Sequence, residues 1–213
     1  EILDTNEDDK KIINLEIEEK PTGEISASAG VGTDGTTFAI GIKENNFNGK
    51  GITLETDLTL TEESIKGSFS YTHPNFAYSD RALTTALEST STDKLNGSGY
   101  KTSLNKVFIG TSYEQYADLY FSPNLSITDE SIETTSKASE AYQKKEGSYF
   151  ETLFGYALSY DKRNSAYQPS SGFISRWSQQ IPLISDDGTI FNGYRITGYK
   201  EITDNMVLSS GIF

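Results

Sequence analysis

The sequence predicts an all-β protein, an antiparallel transmembrane β-barrel of which this chain forms an incomplete, open meander of about eleven strands. Three observations support this fold class. Apolar residues recur at every second position in successive segments, and the opposite positions carry mostly Ser, Thr, Gly, Asn and charged residues. The connections alternate between polar loops and short turns that contain Phe or Tyr. Only 35% of the residues are hydrophobic, but a membrane strand needs apolar residues on one face alone.

A glycine-rich stretch predicts the first hairpin. Gly30-Val-Gly-Thr-Asp-Gly35 has the spacing G-x-G-x-x-G, which marks a dinucleotide-binding loop only between a strand and a helix. Here Phe38, Ile40 and Ile42 alternate with other residues, so a strand follows instead. Asp-Gly between two alternating segments is typical of a tight hairpin. The turn is therefore expected at Thr33-Asp34-Gly35.

The amino-terminal segment differs from the rest of the chain. Residues 1–11 are acidic and turn-like, and residues 12–20 (IINLEIEEK) alternate as one strand. Pro21, Thr22 and Gly23 then interrupt the pattern, as proline and glycine do where a chain changes direction. The sequence predicts a domain boundary here, with residues 1–22 on one side and residues 23–213 in the barrel.

Eleven alternating segments follow this boundary. Each has its apolar residues on one face, because successive side chains of a strand point to opposite sides. In chain order the sets that mark the strands are Ile25, Ala27, Ala29 and Val31; Phe38, Ile40 and Ile42; Ile52, Leu54, Leu58 and Leu60; Ile65, Phe69 and Tyr71; Leu83 and Leu87; Tyr100, Leu104 and Phe108; Leu119, Phe121, Leu125 and Ile127; Phe150, Phe154, Tyr156, Leu158 and Tyr160; Phe173, Trp177, Ile181 and Leu183; Tyr194 and Ile196; and the segment 205–213.

The connections predict two different ends of the sheet. One set is polar and variable in length, and its longest member covers residues 128–148. The other set is short and bears aromatic residues, except for the last turn, residues 201–205. Long loops at one end, short turns at the other and an aromatic girdle are typical of a membrane barrel. Residues 131–145 are expected to hold a short helix.

A soluble β-sandwich is the alternative architecture, because its strands alternate too. A sandwich would hide its apolar face as Val, Ile and Leu. Here that face is rich in Phe and Tyr and is often interrupted by Ser, Thr or Gly. The pattern favours the membrane interpretation.

Composition and charge exclude several functions. A net charge of −13 disfavours nucleic acid and anionic lipid headgroups as direct partners. Without cysteine there is no disulfide or Cys-based metal site. His73 is the only histidine and is expected in a turn beside Pro74, and no Ser or Asp spacing gives it a catalytic partner. No catalytic residue, metal or cofactor is predicted, and Asp161, Lys162 and Arg163 are interpreted as a fixed ion pair at a strand end.

Three separated motifs resemble the BamA family of outer-membrane β-barrel assembly factors. EEKPTG (18–23), a strand of small residues, a hairpin and ENNFNGKG (44–51) are similar to the passage from the last periplasmic POTRA domain into the barrel. SYTHPNFAYSDRAL (70–83) looks like the family's fourth strand and its turn, and ALSYDKRNSAYQPSSGFISRWS (157–178) like a later strand–turn–strand. Family barrels have sixteen strands, so the resemblance implies a fragment; the alternative is a natural aromatic terminus at Phe213.

The resemblance implies an assembly function without covalent chemistry. Residues 1–22 would be the periplasmic tail of the last POTRA domain, hinged at Pro21, Thr22 and Gly23 to the first part of an outer-membrane barrel. The first barrel strand would form a lateral gate, because small side chains pack weakly across strands and an unpaired edge templates further strands. The residues expected to engage substrate strands are Ile25, Ser26, Ala27, Ser28, Ala29, Gly30, Val31 and Gly32.

The implied partners are nascent outer-membrane barrel proteins, the lipoproteins of the assembly machinery and outer-membrane lipid. Related translocation barrels, the TamA-like proteins and two-partner secretion transporters, are alternatives within the resemblance. A passive pore is a further alternative, for which Arg176 and Arg195 would face the lumen. A soluble β-rich binding protein is the candidate from outside the membrane class.

Overall fold

The computed structural model describes residues 2–4, 11–13, 18, 20–32, 35–186 and 188–212. Within them lie thirteen strands, a 3₁₀ turn at Phe76–Tyr78 and one short helix. The strands are β1 (Ile2–Asp4), β2 (Lys11–Ile13), β3 (Gly23–Gly32), β4 (Gly35–Phe47), β5 (Ile52–Thr61), β6 (Ser64–His73), β7 (Ala82–Lys94), β8 (Tyr100–Tyr116), β9 (Leu119–Thr134), β10 (Gly147–Asp161), β11 (Gly172–Ile184), β12 (Phe191–Thr203) and β13 (Met206–Ile212), and the helix is α1 (Glu140–Gln143).

Strands β3 to β13 form one antiparallel sheet in which every strand pairs with its neighbours in sequence. This confirms the predicted eleven-stranded open meander. Strands β3 and β13 lie at its two edges, each paired on one side within the described residues. Strands β1 and β2 form a separate two-stranded sheet. Whether residues 1–22 are the tail of a POTRA domain stays a prediction, and part of the strand expected over residues 12–20 lies outside the described residues.

The first hairpin has the predicted tight form. Gly32 pairs with Gly35, so only Thr33 and Asp34 separate the two strands. Those two residues lie outside the described part of the chain. Gly35 has a φ of +87°, a conformation that glycine adopts without the steric cost of a Cβ.

The two faces of the sheet differ sharply in polarity. Cross-strand rows place Phe69, Leu87, Val107 and Ile127 side by side on one face. The large apolar side chains exposed on this face include Ile25, Val31, Phe38, Ile40, Ile42, Leu58, Leu60, Ile65, Phe69, Leu87, Val107, Ile109, Ile127, Phe150, Phe154, Phe173 and Trp177. We call it the apolar face. The opposite, polar face carries rows such as Ser26, Gly41, Asp57, Ser68, Glu88 and Lys106.

The soluble sandwich alternative is wrong. In the described residues, the eleven long strands form one layer, and no second sheet covers the apolar face. The buried apolar residues there are limited to Ile52, Ile132, Ala138 and Ala157. Soluble monomers rarely expose continuous apolar patches of more than a few hundred Å². A lipid environment satisfies such a face, and it leaves the polar face to line the lumen.

One predicted strand face is also wrong. Tyr100, Leu104 and Phe108 were expected to mark the apolar face of the sixth strand, now β8. Phe108 instead pairs with Ala86 and Ser126 on the polar face, whereas Val107 and Ile109 lie on the apolar face. Three consecutive apolar residues at 107–109 make the alternation ambiguous, and pairing with β7 and β9 decides it.

The longest connection is shorter than its polar sequence predicted. Residues 128–134 continue β9 and residues 147–148 begin β10, so the loop covers only 135–146. The expected short helix exists as α1, and its Tyr142 stacks on Tyr100 with the ring centres 4.1 Å apart.

At 17 and 16 residues, β8 and β9 exceed the roughly 9–11 residues that cross a bilayer. Their polar ends therefore extend beyond the apolar band.

Within the described part of the chain, no helix has both the length and the apolar character that crossing a membrane requires.

The assignment of faces predicts which positions contact lipid. Spin labels on Ala27→Cys and Val107→Cys should be more accessible to a lipid-soluble quencher than labels on Ser28→Cys and Phe108→Cys, in the complete protein reconstituted into a bilayer. The second pair is the sharper test, because Phe108 is the more hydrophobic residue and still lies on the polar face. Equal quenching within either pair would contradict the assignment for that strand.

Candidate functional site: an unpaired strand edge

All eight residues predicted to engage substrate strands lie on β3, at one edge of the sheet. Within the described residues β3 pairs with β4 alone, and every residue of the strand is exposed. Ile25 and Val31 reach 76% and 86% exposure. Between them the strand has only Ser, Ala and Gly, whose small side chains contribute few cross-strand contacts. Sequence and position thus combine in a weakly packed edge.

The hydrogen-bonding groups of β3 alternate between its neighbour and its free side. The Asn45 N–H donates to the Thr22 carbonyl at 3.2 Å, so Thr22 is bonded toward β4. The tight hairpin bonds Gly32 to Gly35 in the same way. Because the pattern has a period of two, even-numbered residues of β3 bond to β4. The odd-numbered residues direct their N–H and C=O groups to the free side; they are Gly23, Ile25, Ala27, Ala29 and Val31.

This free row of polar groups creates a strong tendency to pair. In a bilayer core no water satisfies exposed backbone groups, and each unsatisfied group costs several kcal/mol. An edge strand already in the extended conformation can bind another strand through main-chain hydrogen bonds. The site is therefore suited to adding a strand.

The base of β3 is anchored to β4 by a cluster of hydrogen bonds. The Thr22 hydroxyl donates to Glu44 Oε1 at 2.5 Å, and Asn45 Nδ2 donates to the Thr22 carbonyl at 3.0 Å. The Asn46 N–H donates to the same Glu44 oxygen at 2.7 Å. Register shifts between Glu44 and Phe47, which lets this segment of β4 curl toward Thr22.

The anchor bears on the predicted hinge at Pro21, Thr22 and Gly23. Thr22 is held by β4, and Gly23 is already the first residue of β3, paired with Glu44. Pro21 precedes the anchor and lies outside any strand. The hinge stays a prediction.

Glycine on β4 brings the polar face of the edge close to its neighbours. A Cβ on Gly41 would lie 2.7 Å from Ser26 Oγ and 2.8 Å from Asp57 Oδ1. The missing side chain thus makes room for polar groups from both adjacent strands. A larger residue at position 41 would displace one of them.

On the apolar face, the small residues of β3 leave a depression beside the edge. Its volume is about 370 Å³, and it is lined mainly by Ala27, Ala29, Phe38, Ile40, Leu58 and Leu60. Ala27 lies opposite Ile40, and Ala29 lies opposite Phe38. The side chains of β4 and β5 around this depression are larger than Ala27 and Ala29, which leaves open space on the apolar face beside the free edge.

The residues considered for chemistry have structural roles. Arg163 binds Asp161 through Nε at 2.8 Å and Nη2 at 2.6 Å, and Lys162 pairs with Asp118. These contacts confirm the fixed ion pair at a strand end. The hydrogen bond from Lys162 to Asp118 raises the pKa of Lys162.

His73 is the last residue of β6, so the prediction that it lies in a turn is wrong. Two aromatic rings lie near its imidazole ring. Its ring centre lies 6.5 Å from that of Tyr71 and 5.8 Å from that of Phe76. Its Nδ1 is buried without a hydrogen-bond partner among the described residues. No group of three metal-binding side chains occurs in that part of the chain either.

Sequence reasoning missed the Thr22 anchor. The anchor joins residues more than twenty positions apart, so no local pattern reveals it. A glycine inside a strand, as at Gly41, does point to close approach of neighbouring groups.

Comparison with known proteins supports the barrel architecture. Residues 46–212 match the model of the Omp85 superfamily domain. Among solved structures, the chain is similar to BamA from Haemophilus ducreyi lacking POTRA domains 1-3, with a TM-score of 0.68 and 18% sequence identity. The match covers 91% of this chain and 41% of the other, so the chain spans about two fifths of that protein. No curated protein sequence gives a significant match.

Proposed function

Because the chain belongs to the Omp85 superfamily of outer-membrane barrels, we propose that it forms the templating part of a BamA-type assembly factor. In this role β3 pairs with strands of nascent outer-membrane proteins and promotes their folding and insertion. The superfamily's barrels act in assembly or translocation without covalent catalysis, and the chain is accordingly an outer-membrane barrel protein and not an enzyme. The observation that carries the proposal is the exposed, weakly packed edge of β3.

The mechanism follows from the backbone geometry of the edge. A strand entering the membrane would leave its own N–H and C=O groups unsatisfied. The odd-numbered residues of β3 offer a complementary row, so the incoming strand gains main-chain hydrogen bonds as it loses water. Each further strand can then pair with the one before it. The edge lowers the cost of the first pairing step, and no covalent bond is made or broken.

The small residues of β3 make the pairing reversible. A cross-strand side-chain pair contributes about 0.2–1 kcal/mol, and Ala, Ser and Gly lie at the low end of that range. A completed substrate can therefore leave at a modest cost, whereas bulky β-branched residues would hold it. The Thr22 anchor supports the process by keeping the base of β3 fixed to β4 while its outer side exchanges partners.

The remaining parts of the proposal concern partners and location. We propose that nascent barrel proteins are the substrates, that lipoproteins of an assembly machinery are the accessory partners, and that residues 1–22 lie in the periplasm. A TamA-like or two-partner secretion barrel is the second candidate, since superfamily membership supports both equally. The two candidates differ in the proteins that should crosslink to β3 in the following experiment.

A site-specific crosslink tests the proposal. A photoreactive benzoyl-phenylalanine at Ala27 or Ala29 should crosslink to nascent outer-membrane barrel proteins in cells, because the incoming strand lies directly beside these positions. The same residue at Leu87, on the same face of β7 but flanked by strands on both sides, is the matched control and should not. Equal crosslinking from all three positions would rule out the edge as the docking site, and capture of a secreted protein alone would favour the translocation barrel.

A further inference from the structure

A cation lies at the border of the apolar face, at the turn that connects β6 to β7. Arg81 directly precedes β7, and its guanidinium carbon lies 4.9 Å from the centre of the Tyr113 ring on β8. Tyr113 belongs to the apolar face, because side chains alternate along a strand and Val107 and Ile109 of β8 lie on that face. Arg81 therefore places a positive charge where the lipid-facing surface ends.

The side chain of Arg81 has no carboxylate partner in the part of the chain that the structure describes, and none of its side-chain N–H groups donates a hydrogen bond there. Lys162, at the same end of the sheet, provides a contrast. Its Nζ lies 5.5 Å from the centre of the Tyr160 ring, but Asp118 neutralises its charge. Arg81 has the same kind of aromatic contact with its charge and donors still available.

The turn fixes the backbone of Arg81. The Phe76 N–H donates to the Arg81 carbonyl at 2.9 Å, and the Arg81 N–H donates to Ser79 Oγ at 3.4 Å. The Ser79 hydroxyl in turn donates to the Phe76 carbonyl at 2.6 Å. With its backbone held on both sides and its side chain placed over Tyr113, the guanidinium group loses little freedom when it binds a further partner.

Aromatic side chains accompany Arg81 at this end of the sheet. The Tyr113 ring lies 5.9 Å from that of Phe121, its cross-strand partner on β9. Phe76 and Tyr78, in the turn itself, are exposed. Tyrosine is enriched in membrane proteins at the level of the lipid headgroups. A guanidinium group at this level has lipid phosphates within reach as counter-ions.

We propose that Arg81 and Tyr113 form a binding site for the phosphate group of a phospholipid at the turn end of the apolar face. The planar guanidinium group binds phosphate oxygens through paired hydrogen bonds, and the cation–π contact with Tyr113 holds it in place. The net charge of −13 gives no general attraction for anionic headgroups. Binding therefore depends on this local cation. The site lies on β7 and β8 and is independent of the proposed templating at β3.

Photocrosslinking of lipids to the full-length protein tests the site. The protein is held in dodecyl maltoside micelles in phosphate-free buffer. The probes are phosphatidylglycerol and phosphatidylethanolamine, each with a diazirine near the top of one acyl chain, and the diacylglycerol with the same chains. Both phospholipids should label peptides that contain residues 76–81 or 113–121, as mapped by mass spectrometry, and diacylglycerol should label them only at background level.

Variants of Arg81 and Tyr113 separate the contributions of the two residues. Arg81→Gln should lower labelling by both phospholipids about tenfold, as expected for loss of charge-assisted hydrogen bonds. Arg81→Lys keeps the charge without the forked geometry and should give an intermediate result. Tyr113→Leu keeps an apolar side chain but removes the cation–π contact, so labelling should fall several-fold.

The matched control is Lys162→Gln, which removes the same charge and a similar aromatic contact at another turn. This variant should be labelled normally at residues 76–81. Native labelling in Arg81→Gln, or an equal loss in Lys162→Gln, would overturn the proposal. Labelling by phosphatidylethanolamine alone would also overturn it, by identifying the ammonium group as the ligand, and full competition by millimolar inorganic phosphate would do so by showing a small-anion site.

Discussion

Replacing Ala27 and Ala29 together with proline is expected to lower the rate of substrate insertion about a hundredfold while the barrel itself stays folded. Both N–H groups point to the free side of β3 according to the alternation set by the Thr22–Asn45 bond. Proline removes these donors without removing a bond to β4, and proline is tolerated on an edge strand in this orientation. A hundredfold loss corresponds to about 2.8 kcal/mol, within the cost of two unsatisfied groups in lipid. The measurement is the folding rate of an outer-membrane substrate in proteoliposomes.

Two variants separate backbone templating from side-chain effects. Ala27→Val/Ala29→Val adds β-branched bulk on the apolar face but keeps both N–H groups. Slower release of the substrate should lower its insertion rate only a few-fold, far less than in the proline pair. Ser28→Pro removes a donor that bonds to β4, so it should lower the stability of the barrel instead of selectively slowing insertion. If the valine pair is as defective as the proline pair, the small side chains matter and the free backbone groups do not.

Most of the sheet could be predicted from the sequence because lipid imposes a simple rule. Where a strand crosses the bilayer, one face must be apolar, so segments such as residues 38–42 and 52–60 alternate visibly. The number of strands, their order and the tight first hairpin follow from this alternation and from the turn residues between segments. The edge position of β3 followed only from the family resemblance, since alternation identifies a strand but not its neighbours.

The prediction failed where that rule does not apply. Residues 128–134 extend β9 past the apolar band, so neither face needs apolar residues and the segment looked like a loop. At residues 107–109 consecutive apolar residues satisfy both alternations, and only pairing with β7 and β9 places Phe108 on the polar face. The anchor between Thr22 and Glu44 depends on the curl of β4, which no local pattern encodes. The candidate site was thus predicted as a list of residues, but its fixed base and its alternating free groups required the structure.

Locking the edge should abolish insertion completely, and the geometry of β3 indicates where to lock it. Because Ser28 bonds to β4, it occupies a non-hydrogen-bonded position toward any strand on its free side, where Cα atoms of opposite residues approach to about 4.5 Å. That separation suits a disulfide. In the full-length protein, Ser28→Cys joined to a cysteine on the strand that closes the barrel should stop insertion, and reduction should restore it. The chain has no native cysteine to compete.

The matched control is a disulfide one strand further along the sheet. Ala39 of β4 lies opposite Thr59 of β5, on the same polar face as Ser28 and again at a non-hydrogen-bonded position. Ala39→Cys/Thr59→Cys therefore has the same local geometry but crosses a seam that the mechanism keeps closed, and it should insert substrates normally. Substrate folding is measured before and after reduction for both proteins. If the protein locked at Ser28 inserts substrates at the native rate, strand exchange at β3 is not the mechanism. If both locked proteins lose insertion equally, the barrel must deform as a whole during insertion, and opening of the β3 edge alone does not explain the activity.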